Sequence, residues 1–232
     1  MIRNHPTVRR LLRHAPAAIA ILFAAQAQAH QVWLERDGQV VRAYFGEPAE
    51  NRRERTGALL DRISGPRAFA ADPQAALPIE RRTDHLEIAA PAGSADIRLV
   101  EQSLAPSARP NSADRVKTVM LAREGRSETR AAMDLELVPV AAGGNEFVLM
   151  LRGQPLPRAE VTVVGPPRWE RRIRTNPQGH VTFETPWAGR YVAEVIHTEE
   201  QAGGTGDGAY TRLRLVSTLS FAVQDGIAWN AR

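Results

Sequence analysis

The sequence predicts an all-β protein built from two β-sandwich, immunoglobulin-like domains. Three observations point there. The 17 glycines and 16 prolines are dispersed rather than repeated, so they cut the chain into short segments joined by turns. The segments between them alternate apolar and polar residues, as half-buried strands do. Beyond residue 141 such short segments follow one another at the spacing of an immunoglobulin-like sandwich.

Taken in order, residues 1–29 read as a secretory signal peptide. Arg3, Arg9, Arg10 and Arg13 form a positive start, Ala15 to Ala25 an apolar stretch, and Ala27-Gln28-Ala29 a small-x-small cleavage site. The apolar stretch is shorter than the roughly 20 residues of a membrane span, and no second one follows. The expected mature protein is therefore soluble and periplasmic, without a membrane span, and begins at His30. An N-terminal β-rich domain is expected over 30–140. In it Gln31–Leu34 and Gln39–Phe45 form a hairpin around Arg36-Asp37-Gly38. Glu47–Asp61 reads as loop or short helix, Leu86–Ile88 and Ile97–Val100 as half-buried strands, Ala105–Ser112 as loop, and Val116–Leu121 as strand or short helix.

The composition shifts near Ala141-Ala142-Gly143-Gly144, and a C-terminal sandwich is expected over 141–225, followed by a tail at 226–232. Its strands are Glu146–Leu151, Ala159–Val164, Arg171–Thr175, His180–Phe183, Arg190–His197 and Arg214–Val223. Asn176-Pro177-Gln178-Gly179 is a tight turn. Gln201–Gly208 is a glycine-rich loop.

Charge and composition exclude several functions. The formal charge of +4 falls to zero when the leader, with four arginines and no acid, is removed. A neutral chain lacks the clustered positive charge that nucleic acid or an anionic membrane demands. The absence of cysteine removes thiolate metal sites, iron–sulfur clusters, redox dithiols and a cysteine nucleophile. No zinc-protease His-Glu-x-x-His, phosphate-binding glycine loop, nucleophile elbow or dinucleotide fingerprint is present.

Histidine is the remaining source of chemistry. As the mature N-terminus, His30 offers an α-amine and an imidazole Nδ1 to one ion, a chelate that an internal histidine cannot form. Such nitrogens suit Cu, Ni, Co and Zn. His197 ends a strand beside Glu199 and Glu200 and is the expected partner ligand. His180, just after the Asn176–Gly179 turn, is a further candidate, and His85 a weaker one. Trp33, Trp169, Trp187 and Tyr210 either line a binding face or pack in core and turns.

Several stretches together resemble a known pattern. They are Leu151–Val161 (Leu-x-Gly-x-Pro-Leu-Pro-x-Ala-x-Val), Thr175–Phe183, Ala188–Val192, Ile196-His197, Ser217–Phe221 and Leu135–Pro139, with a leader ending in Ala-His before Val32-Trp33-Leu34-Glu35. The pattern is similar to that of an exported domain-of-unknown-function family associated with nickel or cobalt uptake. The second domain resembles a carboxypeptidase-regulatory or Cna-B-like module. The resemblance implies periplasmic handling of a divalent transition metal, Ni or Co, and delivery to a membrane metal transporter. Ligand chemistry alone would favour Cu on affinity.

Three functions follow from these residues. One is a non-enzymatic metal-binding accessory protein using His30. Another is a non-catalytic sandwich that binds a protein or glycan. The third is a copper-dependent oxidative enzyme, for which a broad polymer-binding face of aromatics would be needed, and aromatics are only 6% of residues.

Overall fold

A computed structural model describes residues 30–91, 93, 96–108 and 113–229; the expected leader, part of the 105–112 loop and the end of the tail lie outside them. The described chain is all-β, with only short 3₁₀ turns besides. The strands of the first part are β1 (Gln31–Asp37), β2 (Val40–Glu47), β3 (Arg52–Arg53), β4 (Arg67–Phe69), β5 (Ala76–Leu77), β6 (Ile79–Arg81), β7 (Leu86–Ala89), β8 (Ile97–Glu101), β9 (Ser107–Ala108) and β10 (Arg115–Glu124). Those of the second are β11 (Leu135–Pro139), β12 (Glu146–Leu151), β13 (Gln154–Pro155), β14 (Glu160–Val164), β15 (Glu170–Arg174), β16 (His180–Thr182), β17 (Gly189–Glu199) and β18 (Arg212–Val223).

They form three sheets. The first has the order β1-β2-β7-β6, with β3 on β2. The second is nine-stranded, β15-β14-β17-β18-β10-β8-β4-β5, with β9 on β10. The third is β11-β12-β13, with β16 on β12. The expected first hairpin is present: Asp37 pairs with Val40 across a two-residue turn in which Gly38 has φ 61°, a conformation that glycine adopts without steric cost.

The second sheet is covered on both faces. Along β10, Met120 and Ala122 pack with Val32, Leu34, Phe45 and Ile88 of the first sheet. Leu121, pointing the other way, packs with Leu135, Leu137, Phe147 and Leu149 of the third. This follows from the two-residue period of a strand. In the second cluster Phe147 stacks on Phe183 at 4.7 Å between ring centres and Tyr191 on Phe221 at 5.7 Å, pairs worth about 0.5–1.5 kcal/mol beyond area burial.

One long pairing ties the parts together: β10 pairs in parallel with β18 from Val116↔Arg212 to Glu124↔Ser220. Within the second part β11 pairs with β12 across the Ala141–Gly144 turn. The segment 47–61, expected as loop or short helix, holds two 3₁₀ turns, Pro48–Glu50 and Leu59–Arg62, with β3 between them. The small strands β4, β5, β6, β9 and β13 are too short to show an alternation in sequence and form because a longer neighbour offers its edge.

Candidate metal centre

His30 stands at the entry to β1, and the pairing beneath it determines its neighbours. Gln31 pairs with Gly46, and Gly46 and Glu47 pair with Arg53 and Arg52 of β3. A Cβ on Gly46 would lie 2.1 Å from the Arg52 carbonyl oxygen, so only glycine lets β3 fold back this closely. The Glu54 amide then donates to the Phe45 carbonyl at 2.8 Å, which brings the Glu54 side chain over the histidine.

The result is a half-buried imidazole between carboxylates. His30 Nε2 lies 2.6 Å from Glu54 Oε1, and Nδ1 lies 3.7 Å from Glu47 Oε1. A carboxylate only accepts, so Nε2 carries the donated proton and a neutral ring keeps its lone pair on Nδ1. Glu47 is buried and also ion-paired with Arg52. Phe45 covers one side of the ring, at 5.2 Å between centres. His30 opens on a cavity of about 240 Å³ that Arg62, Thr118, Met120 and Arg214 also line.

The other histidines are elsewhere. His197 is on β17 opposite Leu215, on the face of Tyr191, Ala193 and Val195, which is the face covered by the third sheet. The His30 cavity lies on the opposite face, that of Met120. The structure therefore does not bring His197 to His30. Its Nε2 is 3.8 Å from Glu199, whose carboxyl is held below the usual range by its hydrogen bond from Arg152. His180, in β16, contacts Glu146 through Nδ1 at 2.8 Å. His85 contacts Asp84 through Nδ1 at 2.7 Å, and that hydrogen bond pulls the Asp84 carboxyl down. Each of these four histidines thus has its own carboxylate. Among the described residues no group of three or more His, Cys, Asp or Glu side chains is gathered so as to hold an ion.

Sequence reasoning missed a second polar centre. Arg98 and Arg123 are fully buried, although the alternation of β8 had suggested a half-buried strand with its polar residues outward. Arg98 Nε donates to Glu136 Oε1 at 2.7 Å and its Nη1 to Glu128 Oε2 at 2.7 Å. Arg123 Nη1 donates to the same Glu136 oxygen at 2.8 Å, and its Nε to Asp96 Oδ2 at 3.0 Å. Asp96 and Glu136 also accept backbone amides, from Ser127 at 2.9 Å and from Ala132 at 2.7 Å. The network pins the 126–133 segment to the central sheet, with every charge opposed by another.

Two further carboxyls are shifted upward. Burial raises Glu124 despite its 2.6 Å ion pair with Arg36, and burial raises Glu194, whose side chain is hydrogen-bonded to Gln31 beside the candidate histidine.

Among the described residues no helix is long and apolar enough to cross a membrane. No protein-family model, no curated protein and no solved structure matches this chain.

Proposed function

We propose that the protein is an exported, periplasmic binding protein for a divalent transition-metal ion, nickel or cobalt, with copper accepted by the same donors. It holds the ion through the α-amine and Nδ1 of a mature N-terminal His30 and passes it to a membrane metal transporter. One observation carries the reading: the 2.6 Å contact of Glu54 with Nε2. A metal-bound histidine characteristically donates its second ring nitrogen to a carboxylate, which orients the ring and raises its basicity. Here that arrangement leaves Nδ1, the nitrogen able to close a ring with the α-amine, with its lone pair free and Glu47 Oε1 3.7 Å away. The leader junction and the resemblance of residues 135–223 to a nickel- or cobalt-associated pattern support the same function. His197 and His180 have no part in this chelate.

The test is a calorimetric titration with Ni²⁺, Co²⁺ and Cu²⁺ of protein beginning at His30, beside protein carrying one extra N-terminal residue. Micromolar or tighter binding, lost in the extended form, is the expected result. Affinity also falls as pH is lowered, because protons compete for both nitrogens. Equal or absent binding in the two forms would remove His30 from the function and favour a non-catalytic interaction module.

A further inference from the structure

We propose a second binding site, for a saccharide bearing an acidic group, in the cleft between the β1–β2 hairpin and the turns flanking β14 and β17. The cleft has a volume of about 390 Å³, within the range of small-ligand sites. Trp33, Glu35, Arg53, Arg168, Arg190 and Trp229 line it. Three guanidiniums therefore meet one carboxylate, an excess of two positive charges in a chain whose expected mature net charge is zero.

Most of this wall is rigid before any ligand arrives. Glu35 receives Trp33 Nε1 at 2.9 Å, Arg53 Nη2 at 3.1 and 3.2 Å, and Arg190. The Arg53 guanidinium also lies over the Tyr44 ring, 3.8 Å from its centre. In the cleft lining Gly189, φ 128°, runs so close to Pro166 that a Cβ would lie 2.8 Å from Pro166 Cγ. The close approach of Gly189 to the Pro166 ring, whose own torsion is closed by the pyrrolidine, leaves no side chain there that could swing in.

Arg168 stands apart from this clamp. It has φ 59° and is exposed on the β14–β15 turn, where its amide donates to the Gly165 carbonyl at 2.9 Å. The left-handed conformation brings Cβ against the following carbonyl in a non-glycine residue, so glycine would be the less strained occupant of this position. No carboxylate forms an ion pair with Arg168 among the described residues. Trp229, which lines the same cleft, is 46% exposed and offers an aromatic face. A sugar ring stacks its C–H face on an aromatic surface, and an acidic substituent on that ring suits a guanidinium fork. Stacking platform and unsatisfied cation in one preformed cleft select a ligand with an apolar ring face and an anionic edge.

The experiment is a titration of the full mature chain with trigalacturonate, cellotriose and a pentaglutamate peptide, followed by calorimetry and tryptophan fluorescence. Trigalacturonate should bind at least tenfold more tightly than either other probe. Arg168→Gln and Trp229→Ala, both at exposed positions, should each weaken it about tenfold with unchanged thermal unfolding. Salt should weaken it too, since the contact to Arg168 is solvent-exposed. Equal binding of cellotriose, equal or tighter binding of pentaglutamate, no binding of trigalacturonate at millimolar concentration, or indifference to both substitutions would each overturn the proposal. The metal titration at His30 is independent of all these outcomes.

Discussion

The carboxyl of Glu54 determines what His30 can do, since it decides which ring nitrogen is left for an ion. Replacing it by glutamine keeps the shape and removes the charge. Glu54→Gln should lower metal affinity by about 10–100-fold, the usual cost of altering a carboxylate behind a metal-bound histidine, with little change in the unfolding midpoint. An unchanged titration would show that this contact does not prepare Nδ1 as a ligand. His30 stood out in the sequence because of the small-residue site before it. Glu54 did not, because it is 24 residues away in an Arg- and Glu-rich stretch without apolar periodicity. Only the return of the chain over Gly46 puts the two together. His197 shows the converse: alternation correctly grouped it with Tyr191, Ala193 and Val195, but nothing local tells on which side of the sheet His30 will lie.

Among elements, β8 and β10 differ most from a simple exposed-and-buried alternation. Their arginines sit under β11 and the 126–133 segment and are satisfied there by Asp96, Glu128 and Glu136. Removing one partner from a buried pair leaves an uncompensated charge, at a cost of about 3–5 kcal/mol. Glu136→Gln should therefore lower stability by that order, measured as a shift in denaturant midpoint. Arg42→Gln, which breaks the surface pair with the mostly exposed Asp37, should cost no more than about 1 kcal/mol. Comparable losses in the two variants would mean that the buried network is not a structural anchor. β12, β14, β15 and β17 were legible to within a residue or two, because β12 is a short apolar run after the Gly143-Gly144 turn and the others lie beside Gly, Pro or Asn turns. Apart from β16, expected as His180–Phe183, the two- and three-residue strands were not, since pairing with a neighbour rather than any pattern of their own makes them strands.

At the scale of the molecule, the central sheet couples everything. β10 gives Met120 to one apolar cluster and Leu121 to the other, and it pairs in parallel with β18 over nine residue pairs. Loss of either cluster strips one face of the same strand, so unfolding should be a single cooperative transition. Coincident denaturant curves from tryptophan fluorescence and far-ultraviolet circular dichroism would bear this out; two resolved transitions would mean that the parts before and after residue 141 are independent.

By itself the sequence determined the all-β class, most of the longer strands and their turns, and the histidine behind a leader-like start. These are local properties, encoded in a two-residue period and in the backbone preferences of glycine, proline and asparagine. The tertiary structure decided which polar faces meet water and which meet buried counter-charges, that Glu54 lies against His30, and that Trp33 and Trp229 share a cleft with Arg168. A polar residue on a strand has the same local pattern whether solvent or a carboxylate lies opposite. The difference arises only when segments far apart in the chain, such as β10 and β18, pair and place a third layer over them.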